Sequence, residues 1–256
     1  MKLAVLLIAG GGSRLNNISG DLPKCMVPVA GQPLLERILF HLKKGGIEKI
    51  ILVTGYQADY IRQSIGDQWN SVKIEYIYSS KWSTTNNVVS LDLASECINQ
   101  NFMLLEGDLI FTWEALEKMF YPNRMAVDHY KSFMDGTVVS IADDQIVDKI
   151  YLKNDPERPV DLSNMYKTVN IYSFDYVDYL NVIAPRLEML IKSDQTQVYY
   201  EQAIADAVDS GDITINSVLF TGTPWYEIDT EQDFIQAEEM FNSGKYEPPV
   251  NHHTHF

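Results

Sequence analysis

Apolar residues along this chain of 256 residues fall into two kinds of run that take turns. Residues 3–9 are continuously apolar and end at a run of glycines, the pattern of a parallel strand covered on both faces. Residues 34–44 carry apolar side chains at helical spacing and end at Gly45-Gly46, a C-cap signal, and 49–54 reads as the next buried strand. Helix is then expected at 58–65 and 87–97, and strand at 72–78 and 102–105. This alternation predicts right-handed crossovers and an α/β fold with a doubly wound, mostly parallel, Rossmann-like sheet. The pattern then changes. Residues 137–141 and 145–152 read as a hairpin around Asp143-Asp144 and 166–174 as an alternating strand, so 112–175 is expected to form a mixed or antiparallel elaboration. Helices at 176–191 and 199–209, a strand at 213–218 and a last helix at 231–241 complete one expected domain over 1–246, with 247–256 as a tail.

Composition narrows the classes. The length suits one large α/β domain with a sizeable core. No apolar run approaches the roughly 20 residues of a membrane span, and Met1-Lys2-Leu3 leads directly into a core strand, so a cytoplasmic protein without a membrane partner is expected. Cys25 and Cys97 are too few for a disulfide framework and read as free thiols. A net charge of −15 argues against a nucleic-acid partner but not against a small nucleotide held by a local loop. His252, His253 and His255 could suggest metal binding, but a ragged cluster after Pro248-Pro249 reads as a tail, and a homodimer is compatible with the sequence without being specified by it.

The first strand runs into Ala9-Gly10-Gly11-Gly12-Ser13-Arg14, and Pro23-Lys24 follows. Glycines let backbone N–H groups turn toward an anion, Arg14 adds a planar fork of donors and Lys24 a compact charge, which is chemistry for a polyphosphate. A P-loop would close on Gly-Lys-Ser/Thr, and a dinucleotide fingerprint would need a third small residue opening a helix; neither pattern is present. A plain glycine turn with solvated cations is the alternative. Acids stand at two further strand ends, Glu106-Gly107-Asp108 and Trp225-Tyr226-Glu227-Ile228-Asp229-Thr230. Asp108 and Asp229 together could hold Mg²⁺, a hard cation that prefers oxygen ligands, or each could cap the helix that follows it. Ser83 to Leu91 puts Thr85, Asn86, Asn87 and Ser90 at a strand-to-helix junction, where they could read a base or cap the helix.

The segment Leu7-Ile8-Ala9-Gly10-Gly11-Gly12-Ser13-Arg14-Leu15 with Pro23-Lys24 resembles the signature of the nucleotidyltransferases that make nucleoside-diphosphate sugars and alcohols. Trp225 to Asp233 is similar to that family's Trp-x-x-x-Asp-Thr-x-x-Asp segment. The resemblance implies that Ala9 to Ser13 bind nucleotide, that Lys24 and Arg14 are catalytic, and that Asp108 and Asp229 ligate Mg²⁺. The Asn-Asn-x-x-Ser-Leu form at 86–91 looks like the phosphocholine and phosphonate cytidylyltransferases, which implies CTP as a partner; Glu106, at the end of the central strand, is also expected on the nucleotide side. Tyr166-Lys167-Thr168-Val169-Asn170-Ile171-Tyr172 is similar to phosphonate cytidylyltransferases, and its Lys167 and Asn170 could meet a phosphonate or phosphate acceptor; Asp135 and Glu201 either offer a carboxylate to an aminoethyl group or are ordinary strand-end and surface acids. The expected reaction is transfer of CMP from CTP to a small phosphonate or phosphate monoester such as 2-aminoethylphosphonate. Phosphocholine, a sugar-1-phosphate or inositol phosphate as acceptor, and a non-catalytic nucleotide sensor, remain alternatives.

Overall fold

The computed structural model describes residues 1–15, 18 and 20–242; the expected tail and the last residues of the expected domain lie outside the described residues. Strand β1 (Leu3–Ile8) is buried along its whole length, as a continuous apolar run requires when both faces are covered. It lies parallel to β2 (Lys49–Thr54), which is followed on the outside by β3 (Val72–Tyr78), while β4 (Phe102–Glu106) returns to the other side of β1. Strand order therefore reverses between β1 and β4, and all four carboxyl ends point to one edge. Helices α1 (Leu34–Lys44) and α2 (Ala58–Ile65) bury Leu35, Ile38, Leu39, Leu42, Ile61 and Ile65 against one face of the sheet. On the other face α3 (Asn87–Ser95) packs with α4 (Ala184–Lys192) and α5 (Glu201–Asp209) through Leu91, Leu187 and Ile204.

The second half is mixed, as expected. After β5 (Leu109–Phe111) come β6 (Arg124–His129), the hairpin β7 (Val138–Ile141) with β8 (Val147–Tyr151), and β9 (Tyr166–Phe174). One edge of β9 pairs antiparallel with β7 at Tyr166 and Lys167 and with β4 from Ile171 to Phe174. Between these partners Asn170 has φ +58°, and the register against β6 shifts between Thr168 and Tyr172. This bulge opens the sheet beside the carboxyl end of β4.

Strand β10 (Asn216–Leu219) runs parallel to β6. β11 (Trp225–Glu227) pairs with β5, and α6 (Glu231–Phe241) closes a small third cluster on Leu15, Leu34, Ile110 and Ile228. Several boundaries differ from the pattern reading. β6 lies where no element was expected, and the strand expected at 213–218 is Asn216–Leu219, although Ile213 and Ile215 are buried. The helix expected at 176–191 runs unbroken over 176–192, ending in α4, with a π-helical stretch at Tyr179–Ile183 just before Pro185, which supplies no N–H. The helix expected at 87–97 ends at Ser95, with the Cys97 N–H donating to Ala94 O in a turn. The helix expected at 199–209 starts at Glu201.

Candidate functional site

β1 ends at the glycine turn, and Gly12 is the one glycine of the triplet with a positive φ, +65°. A Cβ at Gly12 would stand 2.8 Å from the Cβ of Lys24, so the residue must be glycine both for its conformation and for its neighbour. Gly11 packs toward Tyr56 and Trp82, and Ser13 opens a 3₁₀ turn with Arg14 and Leu15. Pro23, in extended conformation, leads into a second 3₁₀ turn over Lys24–Met26 that aims the Lys24 side chain back under the loop.

Lys24 Nζ donates to Asp108 Oδ2 and to Asp229 Oδ1, at 2.6 Å each. Two aspartates 121 residues apart meet because β11 and β5 form an antiparallel ladder, Trp225 opposite Phe111 and Glu227 opposite Leu109, which the Ile228 N–H extends by donating to Asp108 O. Neither aspartate caps a helix. Thr230 is the N-cap of α6, in a reciprocal capping box with Asp233, and Thr112 holds the N-cap position of the short helix Trp113–Leu116. The Asp229 carboxylate is thereby free to meet Lys24 and Arg14, whose Nη2 donates to it at 3.0 Å. Burial disfavours the charged forms, but the two carboxylates outweigh it and hold the Lys24 ammonium well above its ordinary pKa, while Lys24 and Arg14 hold Asp229 below the usual carboxylate range.

These groups open onto one cleft of about 1410 Å³, large enough for a nucleoside triphosphate and a small second ligand together. Ala9, Gly10, Gly12, Arg14, Thr85 and Ser90 line it. Asn86 is the N-cap of α3, accepting from the Asn87 N–H at 2.8 Å, and its amide donates to Gln197 O. Asn87 donates to Glu106 Oε1 at 3.2 Å and accepts from the Tyr200 N–H, so it ties the end of β4 to the start of α5. Glu106 is pushed well above the usual carboxylate range by burial first, then by Asp108, Glu201 and Glu227.

On the far side, Asp135 lines the cleft from the segment before β7, two-thirds exposed and paired with Lys153. Lys167 and Asn170 also line it, and both are turned onto Glu227: Lys167 Nζ stands 3.2 Å from Glu227 Oε2 and donates to Thr168 O at 2.7 Å, and the Asn170 amide donates to Glu227 Oε1 at 2.9 Å. Glu201, the first residue of α5, faces the same space and is buried. Sequence reasoning did not single out Glu227, nor Asp128, which is buried and accepts from Trp225 Nε1 at 2.9 Å and from the Thr221 hydroxyl. The alternation Trp225, Glu227 across one short strand was the available signal, since residues two apart share a face.

Among the described residues, no group of three or more His, Cys, Asp or Glu side chains stands at metal-binding spacing. The donor set nevertheless fits a hard divalent cation that draws on one or two carboxylates and keeps water and phosphate for the rest. Asp108 Oδ1 is buried without a hydrogen-bond partner, an oxygen left over once Lys24 has taken Oδ2.

Fold and cleft together define an α/β protein that turns a glycine loop, a lysine and paired carboxylates toward one cleft at the switch point of its sheet. The chain belongs to the nucleotidyl transferase family, which residues 3–130 match. It is 33% identical over 242 residues to the CMP-5'-(3-aminopropyl)phosphonate synthase of Streptomyces rubellomurinus, covering 93% of this chain and 38% of that one. Among solved structures it resembles the CTP:phosphocholine cytidylyltransferase of Streptococcus pneumoniae, with a TM-score of 0.79 at 22% identity over 94% of this chain and 100% of that one. It also resembles the inositol-1-phosphate CTP transferase of T. maritima, with a TM-score of 0.72 at 22% identity over 95% of this chain and 97% of that one. The chain spans 38% of the length of the Streptomyces relative and about half of the other full-span curated relatives. No helix among the described residues is long and apolar enough to cross a membrane.

Proposed function

We propose that the protein transfers CMP from CTP to a small phosphonate or phosphate monoester of the 2-aminoethylphosphonate kind and releases pyrophosphate. The observation that carries this reading is Lys24 held between Asp108 and Asp229 at the mouth of the glycine turn. An acceptor oxygen attacks the α-phosphorus in line; its new O–P bond forms as the bond from the α-phosphorus to the bridging oxygen breaks, and the electron pair leaves with pyrophosphate. The acceptor is already an anion, so no general base is needed. Lys24 stabilises charge growing on the α-phosphate, and Arg14 with the N–H groups of the Gly10 to Ser13 turn holds the departing pyrophosphate. Asp108 and Asp229 would hold Mg²⁺, which when bound supplies further charge neutralisation at the phosphates. Thr85, Asn86, Asn87 and Ser90 face the base and ribose. The names of the relatives, two of which print CTP and one CMP, support cytidine as the base.

A panel of pyrophosphate release tests this reading, with CTP, UTP, ATP and GTP each offered with 2-aminoethylphosphonate, phosphocholine or glucose 1-phosphate. CTP with 2-aminoethylphosphonate is expected to give the highest kcat/KM. Faster turnover with glucose 1-phosphate would move the protein to sugar activation, and release with no pair would leave a nucleotide sensor.

A further inference from the structure

Two segments from distant parts of the chain are laced together along one wall of the cleft. The first enters α3 and lines the cleft with Thr85, Asn86, Asn87 and Ser90; the second leads into α5 and lines it with Tyr199 and Glu201. The Asn86 N–H donates to Thr196 O at 2.8 Å and its amide to Gln197 O at 3.3 Å, while the Gln197 amide donates back to Thr84 O. Asn87 then closes the join from inside. Its Oδ1 accepts from the Tyr200 N–H at 3.0 Å, across 113 positions of sequence, and its Nδ2 donates to Glu106 Oε1 at 3.2 Å. Asn86 already caps α3, so the Asn87 side chain is not needed there. It gives its acceptor and one donor to α5 and β4. The Tyr200 N–H stands ahead of the first turn of α5, where the helix itself offers it no carbonyl, and Asn87 is the partner it finds.

We infer that Asn87 is a positioning residue that couples the nucleotide half of the cleft to the acceptor half, so that each substrate tightens the binding of the other. A nucleotide seated along Thr85 to Ser90 fixes the start of α3. Through Asn87 the same contact fixes the Tyr200 backbone, and with it the neighbouring Tyr199 and Glu201 that face the second ligand. The shared wall has to be ordered only once, so whichever ligand binds first removes that cost for the other. The effect is reciprocal, because a coupling free energy belongs to the pair of ligands and not to either alone. The inference rests on the nucleotidyl-transfer reading and adds to it how the two substrates influence one another.

The test is a calorimetric binding cycle in the presence of Mg²⁺. Its ligands are 2-aminoethylphosphonate and a CTP analogue in which a methylene group replaces the oxygen between the α- and β-phosphorus, so that no transfer occurs. Kd is measured for each ligand alone and with the other saturating, for wild type and for Asn87→Ala with folding checked by circular dichroism. In the wild type each ligand should lower the Kd of the other by about 10-fold. In Asn87→Ala that factor should fall below about 2-fold, because both ties are lost at once. A residue that only reads the base behaves differently: its loss weakens the analogue equally with and without the phosphonate and leaves the factor as it was. That result, or independent binding in the wild type, overturns the coupling and leaves nucleotidyl transfer standing. Should Asn87→Ala fail to fold, Gln197→Ala takes its place, an exposed position outside the cleft whose loss removes the bond to Thr84 O. It should reduce the factor by about threefold, and an unchanged factor there counts against the inference. Failure of the wild type to bind either ligand is a different outcome, the failure of the transfer reading itself.

Discussion

Lys24 is held in place by three separate features: the 3₁₀ turn that follows Pro23, the carboxylates 2.6 Å away on either side, and the absence of a Cβ at Gly12. Gly12→Ala places a methyl group 2.8 Å from Lys24 Cβ and forces a non-glycine residue to φ +65°. The conformational part alone costs about 1–2 kcal/mol. Urea unfolding should show a lower midpoint, and pyrophosphate release a lower kcat because Lys24 is displaced; wild-type values for both would show that the contact yields freely. Spacing alone left Asp108 and Asp229 open to helix capping, and only the family resemblance drew them to Lys24; the structure brings the three side chains together. Glu227 was not legible, although it stands two residues before Asp229. Its importance comes from Lys167 and Asn170 turning onto it, and that turn depends on a positive φ at Asn170 that the strand's regular alternation does not encode.

At the level of elements, the short β5–β11 ladder and the start of α6 set where Asp229 stands. The Asp233 carboxylate accepts from the N–H groups of both Asp229 and Thr230, so the helix cap and the cleft residue share one anchor. Thr230→Ala should lower stability by about 1 kcal/mol, seen as a reduced urea midpoint at constant m-value. It should also weaken nucleotide binding by freeing Asp229; an unchanged midpoint would mean the capping box contributes nothing. The regular parallel half was legible because apolar runs and glycine stops coincide there, and β9 and α6 were read to the residue. β6 escaped because its core is only Met125, Ala126 and Val127, too short a run for pattern alone; its pairing with β9 and β10 supplies the order.

For the molecule as a whole, the switch point between β1 and β4 gathers residues from 9 to 229 into one cleft, so the sheet order makes the site. Stability has its own signature, centred on His41 in α1, away from that cleft. Burial, then Lys44 and Arg37, lowers its pKa from 6.5 to about 4. Between those values the unfolded chain binds the proton and the folded one does not, so the contribution is fully present above pH 6.5 and is lost as pH falls toward 4. Against a His41→Asn variant, the wild type should lose up to about 3 kcal/mol of relative stability across that window, measured by chemical unfolding at several pH values. A difference independent of pH would mean His41 is protonated in the fold.

The central claim is that the glycine turn presents Lys24 to the α-phosphate of a bound nucleoside triphosphate. Turnover of CTP with 2-aminoethylphosphonate by wild type and Lys24→Ala, with folding checked by circular dichroism, measures it most directly. A loss in kcat of about 100-fold or more is expected of a residue that acts in the transition state. Equal kcat in a folded Lys24→Ala protein would contradict it.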